Sequence, residues 1–132
     1  DDPTCVMATL VKRIDNAEEI NNPNIVKVLI DKNNYALYFS RSAIPYIRDD
    51  AVKQDIVFYK HIGLYAYTKD FLFTFKNLPA SQLEAAEKLE QLRVLEAGFK
   101  IKTVEIDMET IGVDTPEDLE RVRERLRGLD NG

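Results

Sequence analysis

Hydrophobic positions fall into short blocks separated by polar, turn-forming stretches, and their spacing changes from block to block. Residues 5–14, CVMATLVKRI, form an apolar run of strand length and predict a short buried strand. The polar DNAEEINNPN after it predicts a connection with a helical turn over residues 17–20. Residues 26–30 and 35–40 are rich in β-formers and are separated by DKNN, which predicts a hairpin. A loop rich in Arg, Pro and Asp follows over residues 41–55. In HIGLYAY, residues 61–67, extended backbone puts His61, Gly63, Tyr65 and Tyr67 on one face and Ile62, Leu64 and Ala66 on the other. The simpler reading is a half-buried strand with a polar outer face and tyrosines lying flat on the sheet; the sharper one is the floor of a ligand site. In TKDFLFTF, Phe71, Phe73 and Phe75 suit a strand or a short helix, and the helix is preferred.

The next helix carries more signals. Ser81 is followed three residues later by Glu84, as in a capping box, and Gly98 stands where a left-handed C-terminal cap belongs. One continuous helix between them would bury Ala85, Leu89, Leu92 and Leu95 along one stripe. KIKTVEI, residues 100–106, predicts a strand, and Thr115-Pro116 opens a last helix with Leu119, Val122 and Leu126 on one face. Crossover helices mixed with hairpins point to an α/β fold: a mixed sheet with some antiparallel strands and flanking helices.

Length limits the chain to a single domain with one core. The formal net charge of -5 argues against a nucleic-acid partner, which calls for clustered Lys and Arg in excess. No apolar run approaches the ~20 residues of a transmembrane helix, and the lone Cys5 excludes an internal disulfide framework. A cytoplasmic protein without a membrane partner is the expectation. The opening Asp1-Asp2-Pro3-Thr4, without an initiator methionine, suits a piece of something longer.

Three stretches could carry chemistry. Arg41 and Arg48 flank Pro45 in YFSRSAIPYIRD, and guanidinium groups make paired hydrogen bonds to carboxylates and phosphates; ordinary surface arginines are the plainer explanation. Glu90 and Gln91 could bond sugar hydroxyls, although helical pattern alone turns them to solvent, and Glu84 and Lys88 have the spacing of a surface ion pair. Asp114 lies between a presumed strand end and a helix start, where a carboxylate can bind Mg²⁺ or simply favour the helix dipole. One Cys and one His cannot form a zinc site, no Gly-x-Ser-x-Gly elbow supports a serine triad, and no glycine-rich phosphate cradle follows the first strand.

Taken in order, ALYFSRSAIPYIRD, HIGLYAY, LEAAEKLEQLRVLEAG and VDTPEDLERV closely resemble the C-terminal half of the 3-deoxy-manno-octulosonate (Kdo) cytidylyltransferases, over about residues 8–123. The resemblance implies the C-terminal part of a nucleotidyltransferase fold, with residues 1–132 as one partial domain that carries the sugar-binding and dimerisation half. It implies Mg²⁺-assisted attack of the Kdo 2-hydroxyl on the α-phosphorus of CTP, giving CMP-Kdo and pyrophosphate for bacterial lipopolysaccharide. Arg41 and Arg48 would lie near the sugar carboxylate; His61, Tyr65, Glu90 and Gln91 would contact Kdo; Asp114 would be a magnesium ligand. The family's nucleotide loop and second metal-binding aspartate belong to an N-terminal half not in this sequence, so the chain alone is expected to be inactive. CTP, Kdo and a second copy in a homodimer are the implied partners. Alternatives are a cytidylyltransferase for another acidic sugar and a non-catalytic dimerisation or binding module.

Overall fold

A computed structural model describes residues 5–107. Asp114 and the helix expected from Thr115 lie outside the described residues. Among those described, five strands form one sheet in the order β3-β2-β4-β1-β5. Strand β1 (Met7–Ile14) pairs antiparallel with β4 (Phe58–Tyr67) and parallel with β5 (Ile101–Ile106). Strand β2 (Lys27–Ile30) is antiparallel to both β4 and β3 (Ala36–Ser40). The mixed sheet, the hairpin and the turn of helix at α1 (Ala17–Ile20) agree with the pattern of the sequence. The loop from Arg41 additionally contains a 3-10 turn at Asp50–Asp55.

The hairpin is closed by its own side chains. Asp31 Oδ1 accepts from the backbone N–H groups of Asn33 and Tyr35, and Asn34 takes a φ of 67°, conformations that Asp and Asn tolerate in tight turns. Helix α2 (Lys69–Asn77) resolves the ambiguity of its phenylalanines. A strand would put Phe71, Phe73 and Phe75 on one face, whereas the helix sends Phe71 and Phe75 to the core and leaves Phe73 72% exposed.

Both faces of the central strands carry apolar side chains. Met7 and Val11 of β1 join Phe39, Phe71, Leu92 and Ile101 in the main core, and Tyr65 and Tyr67 pack against it. Ala8 and Leu10 lie on the opposite face with Ile62, Leu64, Ala66 and Ile106. The His61–Tyr65–Tyr67 face is therefore not a polar outer surface, because it lies on the side of the larger core.

The continuous helix expected between Ser81 and Gly98 is two short ones, α3 (Gln82–Glu87) and α4 (Gln91–Glu96). Both outer signals hold: Ser81 and Glu84 make a reciprocal capping box. Gly98, at φ 91°, closes a Schellman motif in which Gly98 N donates to Leu95 O and Phe99 N to Val94 O. The interior is interrupted at Lys88, beside a carbonyl that Arg41 holds. Arg41 Nε donates to Glu87 O at 2.8 Å, and Lys88 turns to φ 57° and ψ 45°. The break leaves Ala85 exposed instead of in the stripe, while Leu89, Leu92 and Val94 are buried. It also changes the ion pairing, since Glu84 meets not Lys88 but Arg93, through Nε at 2.9 Å and Nη2 at 2.6 Å, tying α3 to α4.

The left-handed backbone at Lys88 gives a test with opposite signs. In a continuous helix, Lys88→Gly would cost ~1 kcal/mol. At a left-handed cap it relieves the Cβ clash, so Lys88→Gly is expected to be neutral or to stabilise by up to ~1 kcal/mol, read from denaturant midpoints. A clear loss of stability would restore the single helix.

Candidate functional site

Strand β4 and helix α4 build a cleft of about 230 Å³ lined by Met7, Tyr65, Tyr67, Phe75, Glu90 and Gln91. Three of the residues singled out in the sequence, Tyr65, Glu90 and Gln91, meet there. The break at Lys88 matters for this placement. It makes Glu90 the N-cap of α4 and directs Gln91 inward, so Glu90 is exposed whereas Gln91 is only 5% exposed. The expectation that both face solvent holds for Glu90 alone. Gln91 contributes an amide able to donate and accept, and Glu90 a carboxylate that accepts.

His61 borders this cleft through an aromatic row. Its ring lies 4.9 Å from Phe39, edge to face, and 5.3 Å from Tyr65, which is followed by Tyr67 at 6.0 Å. Burial lowers the His61 pKa from 6.5 to about 4, so the imidazole is neutral at ordinary pH. Burial, with Tyr67 and Glu90 adding to it, raises Tyr65 well above the usual phenol value and keeps its hydroxyl protonated. The floor is thus made of neutral hydrogen-bonding groups, with the carboxylate of Glu90 at its rim.

The two arginines go elsewhere. Arg41 Nε donates to Glu87 O and Nη1 to Pro23 O, while Nη2 points to Lys88 O at 3.5 Å. Its guanidinium is held by backbone carbonyls and does not line the cleft. Arg48 is exposed in the loop after β3 and is not brought to the cleft either.

Several residues that organise the site were missed in the sequence. The Glu87 carboxylate accepts from the Tyr38 hydroxyl, the Ser40 hydroxyl and the Arg41 backbone N–H, and these bonds lower its pKa against the opposing effect of burial. Lys27, with 0% exposure, donates from Nζ to the carbonyls of Asn22 and Ile25. Burial and Arg41 lower its pKa while Glu87 opposes them. Thr9, also fully buried, places its hydroxyl 2.9 Å from His61 Nε2. Glu87 is one of several glutamates in a helical stretch, and no sequence signal separates it from its neighbours.

A cytidylyltransferase family model matches residues 2–106. The chain belongs to the cytidylyltransferase family. Among curated relatives it is 52% identical to 3-deoxy-manno-octulosonate cytidylyltransferase of Syntrophotalea carbinolica, over 98% of this chain and 54% of that protein. It is likewise 52% identical to the protein of that name from Flavobacterium johnsoniae, over 93% of this chain and 50% of that protein. A solved CMP:2-keto-3-deoxy-manno-octonic acid synthetase in complex with CTP superposes with a TM-score of 0.77 at 44% identity, covering 97% of this chain and 52% of that one. The family resemblance and the nucleotidyltransferase fold expected from the sequence are borne out. The chain spans about half the length of the relatives it matches.

The depressed His61 pKa fixes a pH dependence. Between about pH 4 and 6.5 the unfolded chain binds a proton at His61 that the folded chain does not, so the stability present above pH 6.5 falls as pH drops through this window. Glu84 and Glu87, whose values lie below 4.5, add their losses only at lower pH. Denaturant midpoints are therefore expected to decline from pH 6.5 to 5, with a flatter profile for His61→Phe. Parallel profiles would place the titration elsewhere.

Proposed function

We propose that this chain is the sugar-binding half of a cytidylyltransferase that joins CMP to Kdo, releasing pyrophosphate, in the synthesis of lipopolysaccharide. The carrying observation is the convergence of Tyr65, Glu90 and Gln91 on one cleft beside His61, in a chain about half identical to proteins named for this reaction. The sugar presents many hydroxyls, and the cleft offers neutral donors and acceptors with one carboxylate, suited to orienting hydroxyl groups. Positioning is the main demand, because phosphoryl-type transfer gains most from alignment and charge neutralisation. Tyr65 and His61 hold fixed protonation states and need not exchange protons during the reaction.

CTP is the proposed second substrate, supported by the CTP complex of the structural relative. Arg48 is the proposed cation for the sugar carboxylate, with Arg41 acting through the break that positions Glu90 and Gln91. A homodimer in the cytoplasm belongs to the same reading. Exposed Leu37 on edge strand β3 and Phe73 on α2 leave apolar surface for a second copy, and no helix among the described residues is long and apolar enough to cross a membrane. Magnesium also belongs to it, with Asp114 as one ligand. Among the described residues no three His, Cys, Asp or Glu side chains gather to hold a metal.

Two substitutions in the full-length protein test this reading. Tyr65→Phe removes a hydroxyl and keeps the ring; it is expected to raise the KM for Kdo roughly two- to tenfold, the size of one neutral hydrogen bond, and to leave that for CTP nearly unchanged. Equal effects on both substrates, or none on Kdo, would take Tyr65 out of the sugar site. Asp114→Asn is expected to remove most turnover with little change in melting temperature, since the amide keeps the shape but loses the charge. A helix-end role would instead alter stability by about 0.3–1 kcal/mol and spare activity at saturating Mg²⁺.

A further inference from the structure

The Thr9 hydroxyl sits at an unusual junction. Its oxygen is 2.7 Å from Leu64 O, 3.3 Å from Ile62 O and 2.9 Å from His61 Nε2. The junction exists because the β1–β4 ladder shifts register between Thr9 and Leu10, so that Thr9 faces Tyr65 while Leu10 faces Ile62. Gly63 and Leu64 make up the difference, and the carbonyls on either side of Gly63 turn to the threonine.

Counting protons settles which group donates. A threonine hydroxyl has a single hydrogen, and carbonyl oxygens can only accept. Two oxygens 2.7 Å apart with no hydrogen between them would repel, so the Thr9 proton belongs on the bond to Leu64 O. The Thr9 oxygen then has only lone pairs to offer His61, and Nε2 must carry the hydrogen of that 2.9 Å contact. A neutral imidazole with its hydrogen on Nε2 has a bare lone pair on Nδ1. Nδ1 has no partner among the described residues, and its ring lies beside Tyr65 of the cleft.

We infer that Thr9 is a positioning residue that locks His61 in the Nε2–H tautomer, making its Nδ1 a hydrogen-bond acceptor for a hydroxyl of the bound sugar. The tautomer assignment stands on the geometry of Thr9 alone; its use on the sugar rests on the function proposed above. The consequence is selective. An Nδ1 lone pair attracts a hydroxyl and repels a carboxylate oxygen, so His61 reads a hydroxyl position and the acid group must be met by another side chain. Its low pKa preserves this polarity, because a protonated ring would donate from both nitrogens.

Nitrogen NMR of the full-length protein tests the tautomer directly, with the His61 signals assigned by their loss in His61→Phe. The expected spectrum has a protonated Nε2 and an unprotonated Nδ1 near neutral pH. Thr9→Val, which keeps the shape and removes the hydroxyl, should shift the ring towards a mixture of tautomers, and Thr9→Ser should restore the single form. In steady-state kinetics Thr9→Val should raise the KM for Kdo roughly three- to tenfold with little change in that for CTP, and Thr9→Ser should recover it. A wild-type ring protonated on Nδ1, or a tautomer unchanged in Thr9→Val, overturns the inference whatever the activity. If the tautomers behave as expected but Kdo is no substrate of the wild-type protein, the functional reading fails and the role of Thr9 in setting the ring survives.

Discussion

The bond from Arg41 to the Glu87 carbonyl ties the end of β3 to the helix break beside which the cleft lies. A regular helix would give that carbonyl to the N–H four residues on, and α3 would run into α4. Arg41 takes it from the side, and the Glu87 carboxylate is held in turn by Tyr38, Ser40 and the Arg41 backbone. The result is a clamp between the end of β3 and the end of α3, with the chain turned left-handed at Lys88. Partly buried charge-assisted bonds of this kind cost several kcal/mol to disrupt one-sidedly, since each leaves a charged or polar partner without its mate. The clamp therefore sets the start of α4, and with it the positions of Glu90 and Gln91.

A second constraint is the apolar packing on both faces of β4. With Tyr65 and Tyr67 against the main core and Ile62, Leu64 and Ala66 on the opposite face, a charged group on this strand would be costly. Histidine is tolerated because it can give up its proton, and the Thr9 hydroxyl supplies the one bond its Nε2 needs. The aromatic row from Phe39 through His61 to Tyr67 thus combines packing with polar edges. Lys60, also on β4, finds Glu19 at 2.6 Å on the other side of the connection, so its charge is neutralised locally.

The sequence was most legible where one local signal controlled one local outcome. Asp31 and Asn34 specify the hairpin, Ser81 with Glu84 a helix start, and Gly98 a helix end, each through bonds within a few residues. The helix interior misled because Lys88 and Glu90 are good helix formers and no glycine or proline marks the break. Arg41, which holds the carbonyl beside it, is remote in sequence. Tyr65, Glu90 and Gln91 could be placed together only through the resemblance of whole motifs, since periodicity alone turned Glu90 and Gln91 to solvent. Thr9 had no signal at all, lying in an apolar strand where a threonine is ordinary.

Under the proposed function, these two constraints would divide the labour of recognising an acidic sugar. Cations are needed for its carboxylate, yet a guanidinium in the aromatic floor would require a buried counter-charge, and the nearest carboxylate, Glu90, is at the rim. The fold instead uses Arg41 as a structural cation, satisfied by backbone oxygens, and leaves Arg48 exposed on a loop where a charge costs little until a ligand arrives. Loop cations can steer an anion and adapt to it, whereas in that reading the neutral floor, held by strand and helix, would discriminate the pattern of hydroxyls. Charge selection and stereochemical selection would then be carried by different elements. On this reading, a change in the loop would alter attraction for acids in general without disturbing hydroxyl contacts made by β4 and α4, and a change in the floor would alter the choice among acids without altering attraction.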